Sequence, residues 1–274
     1  MAEAFARLAD AVRAFGLLCW AWTRAAWQYP TSLLLLTVGQ AMATTLDVLA
    51  IVVIFANTDE LGGFSATEVL FLYATTSTSF AIADTLLGTA ERLGRHIRSG
   101  AFDVMLLRPV SALVQVAADT FSPRRLGKLV PALAALALSL TSLDTEWTGG
   151  RILMVPVMII CGTLIYCGIW VLGASYQFVA ADAAEAMNVT TYGGNYVTQY
   201  PLTVFSSEWV RALTWVVPLA FVNWYPALYV FGRPDPHGYP SAMQFASPIA
   251  ALLALVAAGF AWKAGVRHYR STGS

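Results

Sequence analysis

The chain has 274 residues, of which 58% are hydrophobic and only 12% charged, and its 16 basic and 16 acidic side chains leave a formal net charge of zero. An ordinary soluble domain carries roughly 25% charged residues. With a mean hydropathy of +0.63, this composition excludes a soluble globular fold and predicts an all-α integral membrane protein. Partners cannot be read from a net charge of zero, because in a membrane protein the information lies in where the charges fall.

Residues 3–28 read as an amphipathic helix. Phe5, Leu8, Val12, Phe15 and Cys19 recur at three- and four-residue spacing, with Arg7, Arg13 and Arg24 elsewhere. Trp20, Trp22, Trp27 and Tyr29 are aromatics of the kind that gather at headgroup depth. An interfacial elbow helix is expected, not a signal peptide, since Glu3 and Asp10 stand where a leader would be basic. A crossing needs about 20 mostly apolar residues. Such runs fall at 31–56, 67–90, 123–143, 152–180 and 245–264. The second opens on Ser65, Ala66, Thr67 and Glu68, a capping-box pattern. The third opens on Ser122 as N-cap with Pro123 at the first helical position.

Between 181 and 247 two further candidates compete: a polar one at 182–205, and an apolar one at 209–231 that Pro218 and Pro226 interrupt. Both chain ends are basic, through Arg7, Arg13 and Arg24 and through Lys263, Arg267, His268 and Arg270, so both are expected in the cytoplasm. The crossings must then be even in number, and one candidate of the two spans. On this six-span map Arg92, Arg95, Arg98, Arg108, Arg124, Arg125 and Lys128 also fall inside. Arg151 and Arg233 fall outside, and the outer loop at 57–60 has acid and no base.

The segment 91–109 is the one strongly basic island in an apolar chain. It interleaves Arg92, Arg95, Arg98 and Arg108 with Ile97, Phe102, Val104, Met105, Leu106 and Leu107. A topology signal needs the arginines but not the leucines; the mixture predicts a short cytoplasmic helix that docks into something. No phosphate-binding loop, zinc-protease motif or nucleophile elbow occurs, so no catalytic activity is expected and any energy must come from a partner. Cys19, Cys161 and Cys167 have neither metal-site nor disulfide spacing and read as packing residues. Asp47 and Asp84 lie within spans, where an ionisable group marks either a pathway or an interior residue that bonds polar neighbours such as Thr44, Thr45, Thr75 or Ser79 or lies protonated. The polar run containing Asn188, Asn195 and Gln199 is too hydrophilic for a lipid-facing helix and suits the wall of a cavity.

Taken together, several runs resemble the ABC-2 type permeases, in particular the six-span branch of roughly 270 residues. They are IRSGAFDVMLLRPVS at 97–111, FSPRRLG at 121–127, YPLTVF at 200–205, VPLAFVNWYPA at 217–227 and the ending HYRSTGS at 268–274. The resemblance implies one half of an exporter in a bacterial cell membrane: two permeases pair, and separate cytoplasmic ATPase subunits, which bind the ATP and Mg, dock beneath them. This chain would then carry no cofactor. The coupling helix would lie at 91–108, within a cytoplasmic region at 91–121. Arg95, Arg98 and Arg108 would steer the ATPase, while Phe102, Leu106 and Leu107, beside Ile97, would anchor it. Gly100 would turn the chain, and Asp103 would pair or cap locally. The resemblance also favours 182–205 as the fifth span, with 207–240, including Arg211, as a re-entrant segment on the outer side. By analogy the cargo would be an amphipathic drug, lipid or natural product. The competing class is a proton-coupled secondary transporter with Asp47 and Asp84 as its relay; such carriers usually contain an internal repeat, and the basic island has no counterpart in the second half.

Overall fold

A backbone amide in hydrocarbon must find its partner within its own segment, and this chain meets that demand with helices. A computed structural model describes residues 2–180 and 184–270. Asp182 and the end of the C-terminal run, 271–274, lie outside the described residues. In chain order the helices are α1 (Ala2–Ala26), α2 (Pro30–Phe55), α3 (Ala66–Leu87), α4 (Leu93–Arg98), α5 (Ala101–Leu106) and α6 (Ala112–Ala118). There follow α7 (Leu129–Ser142), α8 (Gly149–Tyr176), α9 (Ala184–Asn188), α10 (Gly194–Thr198), α11 (Ser207–Trp215), α12 (Trp224–Phe231) and α13 (Ser247–His268). Among the described residues, four helical stretches are long and apolar enough to cross a membrane: Pro30–Phe55, Ala66–Arg98, Gly149–Tyr176 and Ser247–His268.

Local chemistry places the ends. Ser65 and Glu68 form the expected reciprocal capping box at the start of α3, and the Pro30 ring sits in the first turn of α2. The expected third span differs from a simple helix: Pro123–Lys128 is a 3-10 turn, Ser122 makes no side-chain cap bond, and α-helix begins only at Leu129. Pro131, two residues into α7, offers no amide hydrogen to the preceding turn, which fits an α-helical ladder that starts only here.

α3 and α8 form the centre of the bundle, and α2 and α13 its apolar rim. Leu35, Met42, Leu46 and Val53 on α2, and Ile249, Leu252 and Phe260 on α13, are exposed apolar side chains. α13 packs on α8 where Gly168 meets the Ala254 backbone, the close approach that small residues permit between membrane helices. Phe80, Tyr166, Trp170 and Tyr192 stack in the centre at ring separations of 5.1 to 6.4 Å.

The two disputed segments have different neighbours. The run 184–205 meets Glu91, beyond the Leu87 end of α3, through the Tyr192 hydroxyl at 3.3 Å. Near its other end Thr203 donates to the Gly62 carbonyl at 2.8 Å, beside the Ser65 end. Between them Thr198 bonds Thr76 of α3 at 3.0 Å and Tyr166 of α8 at 2.9 Å. The run 207–231 is broken by 80° between Ser207–Trp215 and Leu219–Phe231. It follows Thr203 at the Ser65 end and returns there, with Phe231 against Phe64 and Phe71 and Arg233 donating to the Gly63 carbonyl. Its apex reaches Gly162, thirteen residues into α8 or about 20 Å along it at 1.5 Å per residue. The polar groups freed there find partners: the Asn223 side chain donates to the Leu72 and Thr198 carbonyls, and Ser247 donates to the Phe221 carbonyl.

Candidate functional site: a braced basic hairpin and a polar cavity

The basic island folds as a hairpin of short helices, not one continuous helix. A 3-10 turn over Gly88–Arg92 leads into α4, and the chain reverses at Gly100, whose φ of +69° lies in the left-handed region that glycine tolerates. The expected turn at Gly100 is therefore present. The hairpin divides its apolar residues. Ile97 and Phe102 are buried within the chain itself, Phe102 completely. The Phe102 ring packs edge-on against Phe178, Trp262 and Tyr269, which lie just past the end of α8, on α13 and just past its end. This corrects the reading of Phe102 as an anchor for a partner: it holds the hairpin to the ends of two long helices. Val104, Leu106 and Leu107 remain exposed, Leu107 by 86%. Arg95, Arg98 and Arg108 are exposed around them. Asp103 is half-buried near Tyr269; burial first, and then that carboxylate, hold the Tyr269 phenol above its ordinary pKa, so it stays protonated. Gln115 of α6 braces the hairpin's far side, donating to the Met105 and Val110 carbonyls at 2.8 and 2.9 Å. Gly94 is held by the Gln177 side-chain oxygen at 2.6 Å.

Above the hairpin lies a charge network that sequence reasoning only half found. Asp84 is 1% exposed and paired with both Arg125 and Lys128, the latter at 3.0 Å. Arg125 also faces Glu91 at 3.6 Å, and the Lys128 ammonium sits over the Phe80 and Tyr192 rings at 5.6 and 5.8 Å. The partners of Asp84 are thus two bases, not the threonines and serines near it in sequence. Gly88 makes room for the pair, since a Cβ there would collide with the Arg125 guanidinium and the Asp84 carboxylate. Arg125 and Lys128 read in sequence only as topology charges. Their three-residue spacing at the start of a span, at the depth of an acid on the preceding one, was the available signal.

The other polar residues converge farther along the bundle. Asp47, Asn195 and Gln199 line one cavity of about 200 Å³ with Gln40, Tyr73 and Ser77, between α2, α3 and α10. Asn188 is exposed and takes no part, and Asp84 lies outside the lining, joined to it through Lys128. A larger cavity of about 530 Å³ lies between α8, α13 and the bent segment, with Met187, Trp215, Phe221 and Leu253 in its wall and no ionisable side chain. Among the described residues no three His, Cys, Asp or Glu side chains cluster as metal ligands would.

Apolar helices long enough to cross a membrane, packed around buried polar groups, mark a multi-pass membrane protein. The family model of the ABC-2 family transporter protein matches residues 41–273, and the chain belongs to that family. No curated protein and no solved structure matches it.

Proposed function

We propose that this chain is the permease subunit of an ATP-driven exporter. It would supply half of the pathway, pair with a second permease of the same or similar sequence, and couple to a separate cytoplasmic ATPase through the hairpin. The carrying observation is the division of labour in that hairpin. Leu106, Leu107 and Val104 face outward among arginines, while Phe102 ties the same short helix to the ends of α8 and α13. A push on the tip is then delivered to two long helices through a packed aromatic cluster. Arg95, Arg98 and Arg108 would steer an acidic surface, and the leucines would fill its groove.

In this reading the chain crosses the bacterial cell membrane six times, with both ends in the cytoplasm, and α1 lies along the inner interface. The third crossing is Pro123–Lys128 with α7; six 3-10 residues at about 2 Å and fourteen α-helical ones at about 1.5 Å reach about 33 Å. The fifth is the run 182–205, supported by its contacts with Glu91 at one end and Gly62 at the other. The bent α11–α12 segment dips in from outside, supported by its two flanks meeting beside Phe64. The proton-relay alternative fits less well, because Asp84 is committed to two bases.

The test is the double variant Leu106→Asp, Leu107→Asp. Each buried leucine is worth about 1.5–3 kcal/mol, so the ATPase, identified by its own phosphate-binding loop, should no longer copurify, while the permease pair still assembles. The rigorously purified chain should hydrolyse no Mg-ATP by itself. An undiminished ATPase complex in the double variant, or turnover by the single chain, overturns the proposal.

A further inference from the structure

Between the end of α1, the entrance to the hairpin and the turn that leads to α7 lies a cavity of about 360 Å³. Its wall holds three arginines, Arg92, Arg124 and Arg125, and no acidic side chain among the described residues. Arg125 is held by Asp84 and Glu91. The other two have no counter-ion among the described residues. Arg92 donates to the Thr120 hydroxyl at 3.2 Å. Arg124 makes neither a hydrogen bond nor an ion pair among those residues, although its guanidinium is not occluded. The acids beside them in sequence are engaged elsewhere. Asp119 faces His96 at 3.1 Å, and Glu91 faces Arg125 at 3.6 Å and accepts from the Tyr192 hydroxyl. Both arginines are half-buried, and a charge drawn from water without a partner is costly. Thr120, in the same wall, adds an independent sign. Its φ of +52° is the one left-handed backbone at a non-glycine residue among the described residues, and such strain gathers at ligand clamps.

Trp22 is in the wall too, and Trp20, Trp27 and Tyr29 are exposed around the same end of α1, as aromatics at headgroup depth are. Pro30 then opens a helix long and apolar enough to cross a membrane. Directly after the arginines, Leu126, Val130 and Leu133 are exposed at four- and three-residue spacing, an apolar strip along the start of α7. We infer that the cavity binds the phosphate of an anionic phospholipid from the leaflet on the hairpin's side, with Arg92 and Arg124 as charge-assisted donors. The Ser122 hydroxyl, which caps no amide, is a third donor, and the acyl chains lie along the strip. A soluble phosphate would satisfy the arginines but leave the strip bare. A zwitterionic lipid would bring its own ammonium against them. The site rests on the reading of α1 as interfacial and not on the coupling to an ATPase.

Native mass spectrometry of the full-length chain in detergent counts the bound lipid. The chain is titrated with phosphatidylglycerol and with phosphatidylcholine of the same acyl chains. One phosphatidylglycerol should bind more tightly than phosphatidylcholine by about tenfold or more. The double variant Arg92→Gln, Arg124→Gln should abolish that preference. The variant Lys263→Gln, Arg267→Gln, which removes the same charge from the exposed end of α13, should keep it. An unchanged preference in the first variant overturns the site, and an equal loss in the second overturns it in favour of a general surface attraction. Glycerol phosphate that displaces phosphatidylglycerol at equal concentration overturns the lipid assignment in favour of a soluble phosphate compound. Should the double variant fail to fold, Arg124→Gln alone decides, since that side chain bonds nothing among the described residues. It should weaken phosphatidylglycerol by several-fold, and equal affinity overturns the site. Selectivity lost while the ATPase still copurifies overturns the site only; selectivity intact without an ATPase partner overturns the permease reading only.

Discussion

Removing Asp84 should cost this protein more than any change at its surface. The carboxylate is buried, and in its absence Arg125 and Lys128, whose side chains are 12% and 22% exposed, face each other without their shared counter-ion. Breaking a buried ion pair typically costs about 3–5 kcal/mol, because the remaining charge stays desolvated. Two features place Asp84→Ala near the lower end: Glu91, 3.6 Å away, still holds Arg125, and the Phe80 and Tyr192 faces still attract Lys128. A loss of about 3 kcal/mol corresponds to a fall in melting temperature of about 6–12 °C at 2–4 °C per kcal/mol. Thermal unfolding of the purified chain in one matched detergent measures it. The triple variant Asp84→Leu, Arg125→Leu, Lys128→Leu should recover most of the loss, since uncharged side chains carry no desolvation penalty. If Asp84→Ala melts with the wild type, or the triple variant melts no higher than the single one, the network is not the counter-ion arrangement described.

The hairpin's two sets of apolar residues should respond oppositely. Phe102→Ala empties a completely buried site and should cost about 3–5 kcal/mol, whereas Leu107→Ala should change stability by less than about 0.5 kcal/mol; equal melting temperatures for the two would refute the division. Topology is read by an impermeant thiol reagent on intact cells, after replacement of Cys19, Cys161 and Cys167. Cysteines at Thr58, Gly149 and Ser207 should label and one at Ser99 should not; a protected Ser207 position would move the fifth crossing to the bent segment.

Some of this was legible in the sequence because it depends on neighbours along the chain. Hydropathy over about 20 residues measures the cost of a segment in lipid, so α2, α3, α8 and α13 were found within a few residues of their ends. The capping box at Ser65 and Glu68 and the turn at Gly100 are likewise local, one a matter of side-chain reach and the other of backbone freedom. Asn195 and Gln199 were expected in a cavity wall because the run that holds them is too polar to face lipid, and both line a cavity. What only the tertiary structure decided concerns which faces meet and at what depth. Ile97, Phe102, Leu106 and Leu107 are alike in composition, yet the first two turn into the aromatic cluster below α8 and α13 and the others turn out. Asp84 found its bases 41 and 44 residues away, and Asn188, on the same polar run as Asn195, faces outward. Rotation about a helix axis and registry between helices are set by packing across the whole bundle, since the energy of a charge or an aromatic ring depends on what the neighbouring helix presents at that height.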